Sequence, residues 1–568
     1  MQGHKTISSK KAREKIKPIS ASKNAKNSVV FGSLFLACFA FGEPLSNAQS
    51  NSQSSLQFSA QSNPQSSEAN SYTGDNAESS LDSSKDFGTD SSLDLSSSDS
   101  SQKPSFSKDS SKDTDTKPVK KPTSIVEGEK FSLIYTGWVE SFSKIGFNNQ
   151  SIDANLGKYP TDSFSAMVGS FGLKSELKSQ IQTLKAGLSV TAGALVYDSS
   201  SEPYPGGTGS VMNEYIGMWE GFDLQGKSSV KRHYYVVNNA YLDYELKLGA
   251  KSGFYLKGGR YESSAEYMSG YTQGFEVGLN LGNLKLWWFS SYGRAFAYGQ
   301  WLVDFYAPRG YVDNSGKFIH NGIHAFKATY SFLGLDIIPA VYFSKGTYIA
   351  PIIEARYDSK RDFDGKGFRS QTTVHFMNPL HESRVVGNYR YGDLVGKEAQ
   401  TLYIKQRFDI NQYNFGLGLY KNFGNANAYI GTIGNPLSLD LWTTTAYDLG
   451  RNISDMIGKD AITPFVFVGG KHFDNRFSWN LISRYSDSRR SEEASIAGSF
   501  SYALGGGLSV GVKLEWLRDA TKAGYRVGSN GSGSINGVAG ASSEDTTKST
   551  PKRTDDRSHS FIWVRYEF

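Results

Sequence analysis

From Ser124 to its carboxyl terminus the chain alternates polar and apolar residues with period two, the pattern of a sheet with two unlike faces. Between Ser509 and Leu517, the residues Val510, Val512, Leu514 and Trp516 alternate with Ser509, Gly511, Lys513 and Glu515. Between Thr401 and Asp409, Leu402, Ile404, Gln406 and Phe408 alternate with Tyr403, Lys405, Arg407 and Asp409. Ala240, Leu242, Tyr244, Leu246 and Leu248 interleave with Tyr241, Asp243, Glu245 and Lys247 in the same way. No comparable 3.6-residue period follows residue 124. The sharpest signal is the end of the chain, where Ile562, Val564, Tyr566 and Phe568 take alternate positions and the last residue is that Phe. A strand of an outer-membrane barrel ends in this manner, and barrel-assembly machinery is the partner such a strand implies.

A soluble sandwich would also alternate, so connection lengths decide. Nineteen candidate strands lie between 131 and 568, and the early connections run long, short, long, short. Outer-membrane barrels pair long outside loops with short periplasmic turns and hold an even number of strands. Assigning 426–433 to a loop over 422–463 leaves eighteen strands, sixteen being the alternative count, and puts both ends of the barrel on the periplasmic side. Two connections fit awkwardly: 345–349 is short for an outside loop and 359–369 is long for a turn. The expected fold class is all-β, a transmembrane antiparallel β-barrel over 124–568. Closure leaves no strand edge unpaired, as a bilayer requires.

The segments before it read differently. Residues 1–28 carry eight Lys/Arg against one Glu, and the apolar run Val29–Phe41 is 13 residues long. Crossing a bilayer as a helix takes about 20. With the small-residue site Ser46-Asn47-Ala48, residues 1–48 read as a cleaved secretion signal. A lipoprotein site at Cys38 is the rival reading, weakened by the apolar residues that follow it. From 49 to 122, 24 of 74 residues are Ser and only 12 are hydrophobic, so 49–123 reads as a disordered periplasmic tether. The net charge of +6 is concentrated in residues 1–28, which carry +7. The barrel region is close to neutral, which argues against a nucleic-acid partner.

Several segments resemble a known family: GWVESFSKIGFNN (137–149), GRYESSAEYMSGYTQGFE (259–276), LKLWWFSSYGRAFAYGQWLVDFYAP (284–308) and IKQRFDINQYNFGLGLYKNFGNANAYIGTIGNP (404–436). They look like the Helicobacter outer-membrane family called Hof. More distantly, the chain resembles OprD-type porins, 18-stranded barrels narrowed by inward-folded loops. That likeness implies a constriction loop between Arg260 and Phe275. The two resemblances imply a Gram-negative outer-membrane location, with lipids and lipopolysaccharide around the wall.

The charged rows carry the functional expectation. A Lys or Arg facing lipid at mid-depth costs about 2–4 kcal/mol. Lys327, Arg356, Lys405, Arg407, Arg484 and Lys513 are therefore expected to point inward, with Glu354, Asp358 and Glu515, and to line a hydrated lumen. At the constriction, Arg260, Arg294 and Lys327 are expected to face Glu262, Glu266 and Asp304 across 261–271 and 292–323. No cofactor and no catalytic residue are expected. His320 and His324 have H-x-x-x-H spacing, but Asn321-Gly322-Ile323 reads as loop rather than helix, so no metal site follows. The expected function is passive diffusion of small polar solutes, without enzymatic activity. The alternative is a surface adhesin displayed on the barrel, suggested by long aromatic loops.

Overall fold

The computed structural model describes residues 124–568, apart from 129, 152–159, 200–215, 226, 269, 309, 314, 316, 383–388, 391–392, 395–396, 425–455, 457–458, 490 and 524–550. The expected leader and tether over 1–123 and the segment 426–433 lie outside these residues.

Eighteen antiparallel strands form one closed barrel. They are β1 (Phe131–Gly146), β2 (Phe164–Lys178), β3 (Gln182–Asp198), β4 (Tyr235–Lys247), β5 (Ser252–Glu262) and β6 (Tyr271–Leu281). Then come β7 (Leu284–Tyr298), β8 (Ile323–Phe332), β9 (Leu335–Ser344), β10 (Tyr348–Asp358), β11 (Phe368–Met377) and β12 (Ala399–Ile410). The last six are β13 (Tyr413–Gly424), β14 (Ile462–His472), β15 (Phe477–Asp487), β16 (Ser491–Gly505), β17 (Leu508–Thr521) and β18 (His559–Glu567). Each strand pairs with its chain neighbours, and β18 closes the wall on β1 from Trp138↔Glu567 to Gly146↔His559.

The connections keep one phase all the way round. Short turns such as 282–283, 333–334, 411–412 and 506–507 share one end with the first strand's start and the last strand's finish. At 333–334 the two turn residues, Leu333 and Gly334, both have positive φ (45° and 84°), the backbone that a two-residue hairpin needs. The two awkward connections obey the phase as well: 345–347 lies at the loop end and 359–367 at the turn end. One short strand was not anticipated. Ser124–Glu127 folds back along β1 (Val126↔Leu133, Glu127↔Ser132) and pairs the stretch of β1 that lies beyond the end of β18.

The alternation places the apolar rows outside. Leu417, Val466, Ile496, Leu514, Ile562, Val564 and Tyr566 are exposed on the outer surface, and their strand neighbours Glu140, Glu354, Arg484, Lys513 and Glu515 are buried on the inner one. A conventional core also exists, and it sits inside the barrel at the loop end, where Phe142, Phe164, Tyr267, Phe296, Trp301, Tyr342, Tyr403 and Phe465 are buried together. It forms because two loops turn inward. This inside-out arrangement predicts unequal costs for a buried and a lipid-facing charge. Leu417→Arg should lower unfolding stability in lipid vesicles by about 2–4 kcal/mol, and the inward Ser499→Arg by under about 1 kcal/mol. Equal losses in urea titrations would mean that the facing is misassigned.

Candidate functional site

The first inward loop grows out of β7. Up to Ser291 this strand pairs with β8; beyond it the strand stays paired with β6 as far as Ala295, across a register shift between Ser291 and Gly293, and doubles back on itself. Phe296 faces Val303, Ala297 faces Leu302 and Tyr298 faces Trp301 around the Gly299-Gln300 turn. The run Ala295–Tyr298 and Trp301–Phe305 is apolar on both faces save for Asp304, so the hairpin is stable only where both faces are covered. The Phe296 and Trp301 rings stack at 3.9 Å. Its tip crosses to β1, where any side chain at Gly299 would collide with the Glu140 carboxylate. Glu140 in turn accepts from Arg565 at 3.0 Å. The connection between β3 and β4 clasps the hairpin from the side: Gly217 N donates to Leu302 O at 2.8 Å, and His233 Nδ1 lies 2.9 Å from Asp304 Oδ2.

The second inward loop is 263–270, between β5 and β6. Its Glu266 bridges two cations from different strands, with Lys327 Nζ at 3.3 Å and Arg356 Nη2 at 3.1 Å. The next residue, Tyr267, shares a 2.7 Å hydrogen bond with His375 Nε2, whose Nδ1 lies 2.7 Å from Glu354 Oε2. Tyr342 of β9 holds the same spot: its Oη accepts from Glu266 N at 3.1 Å, and its ring meets Tyr267 edge-on at 4.9 Å. One loop is thereby pinned to four strands, β8 to β11. Burial by itself would raise the Glu266 carboxyl, but the Lys327 ammonium and Arg356 guanidinium outweigh it and hold it down, at about 2.

Below these loops the inner wall carries charges in opposed pairs. Lys327, Arg356 and Glu266 keep 22, 27 and 29% of their side-chain surface exposed, although they lie inside the wall. Arg369 and Arg407 both reach Asp409, at 3.0 and 2.6 Å, and Lys405 stands on the same inward row as Arg407. On the arc β3 to β6, Lys185 pairs with Glu245 at 2.5 Å, and Lys257 is set directly opposite both Asp243 and Glu276.

The residues expected at the constriction are thus only partly brought together. Lys327, Arg356 and Glu266 meet. Arg260 hydrogen-bonds Gln273 at 3.0 Å and packs over Phe305 at 4.3 Å, on the flank of the hairpin beside Asp304. Arg294 lies over the Phe296 ring at 4.7 Å and is 1% exposed, inside the core and away from lumen water. Glu262 is exposed at the end of β5 and does not join the cations. Arg484 and Lys513 are inward but buried against Glu493 and Glu515, at 2.7 and 2.9 Å, since each sits beside a carboxylate two positions along or across the sheet. Ile562, Val564 and Tyr566 face outward, and Phe568 caps Gly137 at the seam. His320 and His324 satisfy separate partners, Leu224 O at 3.0 Å and Ser290 Oγ at 2.9 Å, and among the described residues no group of acids and histidines is placed to hold a metal. The Tyr267–His375–Glu354 chain was not foreseen, because its three residues lie on three separate segments.

The family model described as "Putative outer membrane protein" matches residues 123–568. No curated protein matches the chain. Similar solved structures include Acinetobacter baumannii OccAB2, at 9% identity and a TM-score of 0.50, covering 78% of this chain and 99% of that one. Pseudomonas aeruginosa OccK9 is 12% identical with a TM-score of 0.49, over 78% of this chain and 100% of that one. Pseudomonas aeruginosa OpdK, solved with vanillate, is 12% identical with a TM-score of 0.48, over 76% and 98%. At such identity the first of these likenesses speaks for a common fold only. The resemblance to a Helicobacter outer-membrane family holds, and the barrel fold is one that OccAB2 shares. On the strength of the match over 123–568, the chain belongs to this outer-membrane protein family, and its β-barrel resides in the outer membrane.

Proposed function

We propose that the barrel is a porin-like channel for passive diffusion of small polar solutes, and that it carries out no covalent chemistry. The observation that carries this reading is the partial exposure of Lys327, Arg356 and Glu266 inside the wall, since charges facing a dry interior would be sealed. An 18-stranded wall is wide enough for an aqueous path once it is closed. The two inward loops would then make its narrowest section. The arc β8 to β12 presents Lys327, Arg356, Arg369, Lys405 and Arg407 against Asp336, Glu354, Asp358 and Asp409, with Glu266 reaching in from the loop, so that cations and carboxylates balance. The inward row of the arc β3 to β6 carries Lys185, Lys247 and Lys257 against Asp243, Glu245 and Glu276, again balanced. Local fields between the opposed charges would orient dipolar solutes as they pass. Lipids and lipopolysaccharide around the wall, and assembly machinery engaging the outward row that ends on Phe568, are the partners this reading implies.

Single-channel recording in planar bilayers tests the proposal. The parent should show discrete steps, and removal of 296–306 should raise the step size by at least about twofold. A folded barrel that stays electrically silent and binds host surfaces would favour the adhesin instead. Glu266→Gln should move the anion-to-cation permeability ratio toward anions, by about threefold, because two cations lose their shared counter-charge.

The same glutamate generates a pH prediction. Its folded pKa lies below the ordinary glutamate value of 4.5, so its anchoring contribution is complete above about pH 4.5 and is lost as pH falls through about 2. The difference in urea stability between the parent and Glu266→Gln should stay constant from pH 8 to pH 5 and close between pH 4.5 and pH 2. A difference that closes above pH 5 contradicts the assigned ion pairs.

A further inference from the structure

The inner wall repeats one device that the charge pattern does not explain. Five inward aromatic residues stand directly opposite a glycine on the adjoining strand: Tyr241 opposite Gly187, Tyr255 opposite Gly278, Phe465 opposite Gly418, Phe467 opposite Gly416 and Trp563 opposite Gly511. In every pair, a Cβ added to the glycine would come closer than 3.0 Å to the aromatic ring. The ring therefore lies across the neighbouring strand in the space that a side chain there would fill. An aromatic laid down on the wall leaves the lumen open and turns ring surface toward it.

Phe465 and Trp563 are covered by other groups, whereas Tyr241 and Tyr255 are only half-buried. These two rings lean in opposite directions, toward β3 and toward β6, and between them runs a charged strip. Asp243 and Glu245 follow Tyr241 along the inward row of β4, and Lys257 follows Tyr255 along that of β5. Lys257 Nζ stands 5.0 Å from the Tyr241 ring centre and 4.4 Å from that of Tyr261. Lys185 and Glu245 form an ion pair that retains 33% and 43% side-chain exposure.

From this arrangement, and resting on the channel reading above, we propose that Tyr241 and Tyr255 form a stacking subsite for neutral sugar rings on the β3–β6 arc of the lumen. A pyranose has an apolar C–H face that packs on an aromatic ring, and hydroxyls around its edge that both donate and accept. Carboxylates and ammoniums set alternately beside the rings can satisfy both roles. Around the two rings, Asp243, Glu245 and Glu276 outnumber Lys185 and Lys257, so an anionic ring is disfavoured.

The test is the current through the full-length protein in planar bilayers as maltotriose is added, with sorbitol and benzoate as comparison solutes. Maltotriose should reduce the current saturably. The Tyr241→Ala/Tyr255→Ala variant should need about tenfold more of it, since two ring contacts are lost. Tyr241→Phe/Tyr255→Phe keeps both rings and should retain the block, which a merely structural role for the phenols would not predict. The heat-dependent electrophoretic shift of a closed barrel shows which variants have folded. A reduction that rises linearly without saturation overturns the proposal. Equal saturable block by sorbitol, which has the hydroxyls but no ring, overturns the stacking, and tighter block by benzoate overturns the choice of a neutral sugar. A barrel that carries no current would refute the channel reading separately. Titration calorimetry of the detergent-solubilised protein with maltotriose then decides the subsite: saturable binding lost in the alanine variant supports it, and no binding refutes it.

Discussion

Everything in this molecule follows from backbone groups that lipid cannot satisfy. A strand edge left open in hydrocarbon strands a row of N–H and C=O groups at a cost of several kcal/mol each, so the sheet must close. The seam between β1 and β18 is where that demand is met last, and the chain meets it in two stages. Phe568 ends the last strand with paired bonds to Gly137, its N donating to Gly137 O at 3.0 Å and its O accepting from Gly137 N at 3.2 Å. Its ring lies where a side chain at 137 would stand. Beyond that point the remaining edge of β1 is covered by Ser124–Glu127, so the residues just before the barrel finish the sheet that the residues at its end begin to close.

Closure fixes the rest. Once the wall is continuous, every second residue faces either lipid or the interior, and the apolar rows must go outward. Eighteen strands enclose more space than inward side chains can fill, so the interior must be packed, hydrated or both. The protein divides it. At the loop end, the 292–306 hairpin and the 263–270 loop supply an aromatic core that crosses from β7 to β1 and from β5–β6 to β8–β11. Toward the turn end the inner wall keeps paired charges partly exposed. Pairing matters because a lone ion beside a low-dielectric wall would be costly, whereas pairs such as Lys185–Glu245 and Arg369–Asp409 hold charge in place at little cost.

The strand plan was legible because period two is strong in each strand and the turn and loop lengths alternate. The eighteen-strand count, the outward row Ile562, Val564 and Tyr566, and the common end for start and finish all rest on that local signal. The inward folding of the aromatic segment was legible too, since a run such as Phe296–Tyr306 has no polar face to offer water. Which charge meets which was not, because contacts inside a barrel join residues far apart in the chain. Glu266 finds Lys327 and Arg356, 61 and 90 positions on, while Glu262, only four positions before it, finds neither. Arg294 looked like a pore charge from its neighbours, yet the hairpin that carries it folds over it. Tyr267, His375 and Glu354 could not be linked by any spacing rule, and Ser124–Glu127 is too short to show a period.

Water in the lumen beneath the two inward loops can be mapped directly. Cys38 is the chain's one cysteine, so in a Cys38→Ser background single cysteines placed in turn at positions 402 to 408 of β12 can be probed in outer-membrane vesicles with a charged, water-soluble maleimide. Cysteines at 405 and 407, on the inward row, should be labelled readily, and those at 402, 404 and 408 should be protected by lipid. Labelling that fails to alternate, or inward positions as unreactive as the outward ones, would mean that the barrel interior is dry and that no aqueous path exists.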